Sequence, residues 1–335
     1  MSDKIKKKQL AILSVLKECD GPGSSSRIAE ELEALGHEIS ERTVRFYLNK
    51  MDDAGLTKTI GKKGRQITEQ GLSELETSSI LERVGFLSAK IDQLTYAMDF
   101  DLNQKTGNVV VNLSLVEPRK VLACLDMISR VFEYDYAMGH MVTLFGPGER
   151  LGHKTIPENM VGLGTVCSIT VNGVLLKYGV PTNSRFGGLL ELQDKKPTRF
   201  VEIINYDGTS IDPLEVFIRS GMTDYVGAVR SGSGRIGASF REFPAQSRDL
   251  VIDLARKLDY AGLGCMMRIG QPSQALLEIP VSEGRIGAIM VGGLNPVAIL
   301  EETGVRVHLK ALAGLVEFNR LFHYTELKSR LEVFL

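Results

Sequence analysis

Residues 28–56 read IAEELEALGHEISERTVRFYLNKMDDAGL, and this stretch decides the fold of the front of the chain. Ile39 stands before Ser40 and Val44 stands four residues after it, the spacing of a hydrophobic staple around an N-cap. Val44, Tyr47, Leu48 and Met51 then recur at i, i+3, i+4, i+7, which predicts a helix from Ser40 with one buried face. Arg42, Arg45 and Asn49 fall on the outer face with Phe46 beside them, and Thr43 is counted with this set.

Upstream, Ile5, Ile12, Leu13 and Leu16 predict a helix over 5–19, stopped by Gly21-Pro22-Gly23. A second short helix is expected after Ser24-Ser25-Ser26, one of which caps it, with Ile28, Ala29, Leu32 and Leu35 inward and Gly36 at its end. Downstream, runs at 56–60 and 65–68 flank Gly61-Lys62-Lys63-Gly64, which reads as a hairpin, and Thr68 caps another helix. Three helices and a basic hairpin make a winged helix-turn-helix.

That pattern carries a chemistry. Arg42 and Arg45 on a recognition helix can bond guanine bidentately, Asn49 suits adenine, and Phe46 can meet a thymine methyl. Lys62, Lys63 and Arg65 on the hairpin, with Lys4, Lys6, Lys7 and Lys8, would neutralise phosphates. Residues 1–75 hold thirteen basic and twelve acidic residues, so arrangement rather than bulk charge supports the reading.

The whole chain has 335 residues, long enough for two domains. Hydrophobic residues are 43% and charged residues 24%, with a net charge of −1, which excludes a polycation and wholesale disorder. No apolar run reaches membrane-spanning length and the N-terminus lacks a secretory h-region, so a cytoplasmic location is expected. Cys19, Cys124, Cys167 and Cys265 form no CxxC pair, so neither a zinc site nor a disulfide framework is expected.

Nine of the thirty-four glycines precede residue 139 and the rest follow, marking a change of architecture. The expected domains are a winged helix at 1–75, a linker helix at 76–106 and a duplicated effector-binding and dimerisation domain at 107–325. The linker carries Leu81, Val84, Leu87, Ile91 and Leu94 near a helical period and is a candidate dimer contact. Behind it, strands are expected at 141–145, 161–171, 174–180 and 225–230, among others, and the overall class is α/β (α+β).

Shifting the chain by one hundred residues places 161–190 on 261–290 with seven identities, and a shorter offset relates 212–221 to 295–304. The strand, proline, helix order at 109–132 likewise resembles that at 235–260. Duplication predicts a pseudo-twofold unit with a central cleft.

A recurring Arg beside glycine, at Arg185, Arg235 and Arg285, can frame an anion with amides and a guanidinium, aided by Ser231 and Ser233. A tight turn is the plainer reading of the 231–234 segment. His140, His153 and Glu149 match no metal spacing, and no catalytic triad order is visible. No catalytic residue, metal or cofactor is therefore expected.

The front motif, GKKGRQITEQGL, GLGTVCSITVNGVLLKYGVPTNSRFGGLLEL and SGSGRIGASFREFP together resemble the archaeal nitrogen-regulatory repressor family, NrpR. The resemblance implies a repressor of nitrogen-assimilation genes that leaves its double-stranded operator when the effector 2-oxoglutarate accumulates. Some members carry two regulatory domains in tandem, whereas this chain has one. The implied partner is therefore a second copy on an inverted repeat, or a second regulatory-domain protein. A winged-helix sensor of another small anion and an enzyme with a DNA-binding appendage are the alternatives.

Overall fold

In the computed structural model, which describes residues 3–18, 21–34, 39–82, 86–152, 154–264 and 266–335, the chain divides into Met1–Val84 and Gly85–Leu335. The first unit runs α1 (Asp3–Glu18), α2 (Ser25–Ala34), α3 (Glu41–Asp53), β1 (Thr57–Thr59), β2 (Arg65–Ile67) and α4 (Glu69–Glu82). Its core joins Ile12, Leu13 and Leu16 to Ile28, Leu32, Val44, Leu48 and Met51, the positions the helical spacing marked. The expected caps form: Ser24 Oγ accepts from the Arg27 amide at 3.3 Å and Thr68 Oγ1 accepts from the Gly71 amide at 3.0 Å.

The hairpin is anchored at its base. Gly23 exchanges both backbone hydrogen bonds with Arg65, at 2.8 and 3.0 Å, adding a rung beside β2. Gly64, at φ 111°, lies so close that a Cβ would come within 2.2 Å of the Gly23 carbonyl oxygen. Glycine is required there on both counts.

The second unit begins with α5 (Phe86–Ala97), then β3 (Asn108–Val116), α6 (Pro118–Ala123), α7 (Leu125–Glu133), β4 (Met141–Phe145), β5 (Arg150–Leu151), β6 (Lys154–Thr155), β7 (Val161–Val166), α8 (Ile169–Lys177), β8 (Asn183–Gln193) and β9 (Lys196–Asn205). After α9 (Pro213–Arg219) and α10 (Tyr225–Ser231) come β10 (Gly234–Pro244), α11 (Arg248–Tyr260), β11 (Met266–Ile269), β12 (Arg285–Val291), α12 (Asn295–Glu302), β13 (His308–Glu317), β14 (Phe322–His323) and α13 (Leu327–Leu331). Two five-stranded antiparallel sheets result, ordered β13-β3-β7-β4-β14 and β11-β12-β10-β8-β9.

The order strand, helix, strand, strand, helix, strand occurs twice, from β3 to β8 and from β10 to β13. The last strand of each copy crosses into the other copy's sheet, so β8 pairs with β10 and β13 pairs with β3. Neither copy completes its sheet alone, which makes the duplicated unit one cooperative body.

The duplication stands, but at a different offset from the one expected. Offsets near 125 relate β7 to β12, α8 to α12 and β8 to β13, pairing Gly162 with Gly287, Val166 with Val291, Leu175 with Leu300 and Gly179 with Gly304. At an offset of one hundred, β7 would fall on the turn after α11, and α8 on irregular chain before β12. The shared Gly-Leu-Gly serves a strand in one place and a turn in the other. The match of 212–221 to 295–304 also fails, because α8, not α9, is the counterpart of α12. The match of 109–132 to 235–260 agrees with β3 and β10.

Two strand expectations become helices. Residues 174–180 lie mostly in α8, and 225–230 lie in α10, which Asp224 caps by accepting from the Gly227 amide at 2.9 Å. Short apolar runs buried on several sides do not reveal their period.

A single linker helix over 76–106 is also not what forms. α4 runs to Glu82 and α5 starts at Phe86, with Leu87 and Ile91 buried in the second unit's core. Those side chains pack inward, as α5 lies on α8 and β13, and so do not present a dimer face. The side chains of Leu81 and Val84 lie outside the described residues.

Candidate nucleic-acid interface and the regulatory polar clusters

α3 is set by its cap. Ser40 sits in extended conformation and its hydroxyl accepts from the Thr43 amide at 3.4 Å, while Glu41 places a carboxylate in the first turn. Thr43 Oγ1 turns back to Ser40 Oγ at 2.9 Å, so this residue belongs to the cap more than to the outer face. With Val44, Tyr47, Leu48 and Met51 buried, Arg42, Arg45, Phe46, Asn49 and Lys50 are left exposed.

Phe46 is 54% exposed and meets Tyr47 edge-on, with the Lys50 ammonium 4.6 Å from its ring centre. An exposed ring flanked by cations is an apolar contact within a positive surface. Arg45 pairs with Glu41 at 2.5 Å, an exposed i,i+4 bridge worth only about 0.3–0.5 kcal/mol and easily exchanged for a phosphate. Arg42 has no hydrogen bond or ion pair among the described residues.

The hairpin braces this helix. Arg65 donates from Nε to Asp52 Oδ2 at 3.2 Å and from a terminal nitrogen to Asn49 Oδ1 at 2.6 Å. Asp52 also accepts from Thr57 and Thr59 hydroxyls. Partial burial pushes the Asp52 carboxyl upward, but the Thr57, Thr59 and Arg65 hydrogen bonds outweigh it and hold the group below its ordinary value. Arg65 is thus a brace between wing and helix rather than a free phosphate contact. Lys63 is exposed at the hairpin tip, and the Lys62 side chain lies outside the described residues.

In the second unit the three arginines, at least one of which is expected to meet an anionic ligand, do not converge. Arg185 donates to the fully buried Glu242 carboxylate at 2.8 Å and to the Pro280 carbonyl at 2.6 Å, so it is committed to a structural pair. Arg285 pairs in register with Pro244 at one end of β10. Arg235 lies at the other end, nine residues away or about 30 Å of strand. Ser231 Oγ donates to the Gly227 carbonyl at 2.9 Å, and Ser233 Oγ accepts from the Asp194 amide at 3.3 Å. With Gly232 left-handed at φ 77°, this segment is the turn that ends α10 and opens β10.

Sequence reasoning missed Arg241, the buried counterpart of these arginines. It is fully buried in β10, and its guanidinium donates to the Ser168 carbonyl and hydroxyl at 2.7 Å each and to Asn172 Oδ1 at 2.6 Å. Asn172 in turn donates to Ser184 Oγ at 3.1 Å. The cation therefore clamps the start of α8 to β10 through neutral acceptors. The signal available was Arg241-Glu242 within the otherwise apolar run IGASFREF, a place where charge is costly unless bonded.

A half-buried acid is Asp212, which caps α9 by accepting from the Leu214 amide at 2.9 Å. Burial, then the nearby Glu215 charge, pushes its carboxyl up to about 7. Glu215 accepts from the Ala311 amide at 2.5 Å and ties α9 to β13. No group of three or more His, Cys, Asp or Glu able to hold a metal occurs among the described residues, and no described helix is long and apolar enough to cross a membrane.

Residues 84–323 match the family described as NrpR regulatory domains NRD1 and 2, and residues 10–75 match the ribonuclease R winged-helix domain. The global nitrogen regulator NrpRI of Methanosarcina mazei is 32% identical over 321 residues, covering 96% of this chain and 99% of that protein. The global nitrogen regulator NrpR of Methanococcus maripaludis is 31% identical over 92% of this chain but only 54% of its own length. The chain therefore spans about half of that longer relative. A crystal structure of a nitrogen repressor-like protein from Methanococcus jannaschii superposes with a TM-score of 0.59 at 25% identity, over 70% of this chain and 97% of the other.

Proposed function

The chain belongs to the NrpR family of nitrogen regulators, and from that premise we propose that it is a repressor of nitrogen-assimilation genes, released from double-stranded operator DNA by 2-oxoglutarate. The observation that carries the DNA half of this reading is the exposed face of α3, where Arg42, Arg45 and Phe46 stand over a closed apolar core. Side chains so placed meet base edges when the helix enters a major groove. Asn49 has its Oδ1 engaged by Arg65 and offers only amide donors. That suits the acceptors of guanine rather than the adenine its residue type first suggests.

One such helix reads a short half-site, and selectivity calls for two half-sites about one helical turn apart. We therefore propose that a homodimer occupies an inverted repeat, with pairing to a second regulatory-domain protein as the other arrangement. The effector reading rests on the family. It keeps no support from Arg185, Arg235 and Arg285 as a joint site, since they are dispersed over one sheet.

The test is a gel-shift titration of the full chain on DNA upstream of nitrogen-assimilation genes, with and without 2-oxoglutarate. Specific retardation that 2-oxoglutarate reverses is expected. Binding that ignores this compound but yields to another small anion would replace the effector, and absence of sequence preference would overturn the operator reading.

A further inference from the structure

Glu41, Arg45 and Asn49 recur four residues apart and so lie along one exposed line of α3. Two of the three are held from outside the helix. Asn49 Oδ1 accepts from Arg65 of β2 at 2.6 Å, and Glu41 Oε1 accepts from the Ser25 hydroxyl of α2 at 3.0 Å. Arg45 stands between them and donates from one terminal nitrogen to the same Glu41 oxygen at 2.5 Å. That bridge adds little stability, but the tie from Ser25 holds the carboxylate whether or not Arg45 stays on it.

Only one oxygen of this carboxylate is engaged. Glu41 Oε2 accepts no hydrogen bond among the described residues, and the side chain is exposed. A negative charge in the first turn favours the helix itself, yet on a surface that approaches phosphates it repels the polyanion. The repulsion is offset where the carboxylate meets a donor.

Base edges in the major groove offer two donors, the N4 amino group of cytosine and the N6 amino group of adenine. Adenine sets its donor next to the N7 acceptor, whose lone pair opposes a carboxylate. Cytosine has only a C–H at that place. From Glu41 through Arg45 to Asn49, the line therefore presents an acceptor, a guanidinium fork and an amide donor.

We propose that Glu41 determines sequence specificity in the DNA interface: its Oε2 accepts from the N4 amino group of a cytosine in the base pair next to the guanine that Arg45 reads. Ser25 positions the carboxylate for that contact. The assignment rests on the reading that α3 enters a major groove. It supplies discrimination by exclusion, because guanine and thymine meet the fixed carboxylate with acceptors, and adenine meets it with an acceptor beside its donor.

The test is enrichment of duplexes from a random-sequence library by the full chain, followed by titration of the best duplex and its single-base variants. It covers the wild type, Glu41→Gln, Ser25→Ala and Arg45→Ala, each checked for an unchanged melting transition. Glu41→Gln keeps an oxygen for Ser25 and Arg45 and removes the charge. In the wild type a cytosine preference of about tenfold or more is expected at one position of each half-site. Glu41→Gln should replace it with indifference or with adenine, which an amide reads, and Ser25→Ala should weaken it. The neighbouring guanine preference should persist in both and disappear in Arg45→Ala. An unchanged cytosine preference in Glu41→Gln, an even loss of affinity for every duplex in that variant, or no cytosine preference in an otherwise selective wild type would overturn the role of Glu41 and leave α3 as the reading element. Should Glu41→Gln unfold, Ser25→Ala decides: a weakened cytosine preference upholds the proposal and an unweakened one overturns it. A wild-type chain that enriches no sequence would overturn the DNA reading itself, and this proposal with it.

Discussion

The two units treat charge in opposite ways. The winged unit keeps its described cations at the surface, on one face of α3 and on the hairpin, paired by an exposed bridge at Arg45–Glu41 and a half-buried one at Arg65–Asp52. The regulatory unit takes charge inside, with Arg241, Glu242 and Glu215 all nearly or fully buried and each bonded to named groups. An exposed cation can exchange its partner for a large polyanion at little cost. A buried one fixes geometry, because leaving it unpaired costs several kcal/mol, about 3–5. The difference fits one unit that meets DNA and another whose interior arrangement must be reproducible.

The contrast can be broken most forcefully at Arg241. Arg241→Ala removes the clamp between β10 and α8 and leaves Ser168 and Asn172 acceptors buried, so a loss of about 3–5 kcal/mol in denaturant unfolding is expected. A loss under about 1 kcal/mol would mean that the buried cation does not hold the unit together.

A smaller effect, with a pH signature, is expected at Asp212. Its carboxyl in the folded chain is raised to about 7 from 3.8, so burying the ionised form opposes folding increasingly as pH rises from 4 to 7. Asp212→Asn keeps a capping oxygen without the charge. The variant should match the wild type below pH 4 and exceed it in stability by about 2–4 kcal/mol above pH 7. A gap independent of pH would contradict the raised-carboxyl account.

The smallest effect belongs to the exposed side of the comparison. Asp52→Ala frees Arg65, Thr57 and Thr59, and should cost the winged unit about 1 kcal/mol near neutral pH. Because the folded Asp52 carboxyl is depressed, its contribution is present above the unfolded value of 3.8 and is lost as pH falls through the folded value. Melting curves of both proteins should therefore converge in acid.

The winged unit was legible because its determinants are local. Ser40, the apolar set of Val44, Tyr47, Leu48 and Met51, and the Gly61 to Gly64 turn act within a few residues of one another. The brace from Arg65 to Asp52 and Asn49 was not legible, since thirteen and sixteen residues separate the partners. In the regulatory unit the order of elements disclosed the duplication, but the glycines disclosed the wrong offset, because glycine marks turns and close strands alike. The family resemblance reached the right class, whereas residue chemistry alone marked arginines that the fold spreads along one sheet.

The most direct measurement compares the full chain and Arg42→Ala on DNA upstream of nitrogen-assimilation genes and on a scrambled duplex of equal length, across a salt series. Arg42 is exposed and without a partner among the described residues, so its removal should leave folding and scrambled-duplex binding unchanged. Loss of about 1–3 kcal/mol on the upstream DNA alone, or roughly tenfold to a hundredfold, is expected. Equal wild-type affinity for both duplexes, or an Arg42→Ala variant that binds the upstream DNA as tightly as the wild type, would contradict the assignment of α3 as the element that reads sequence.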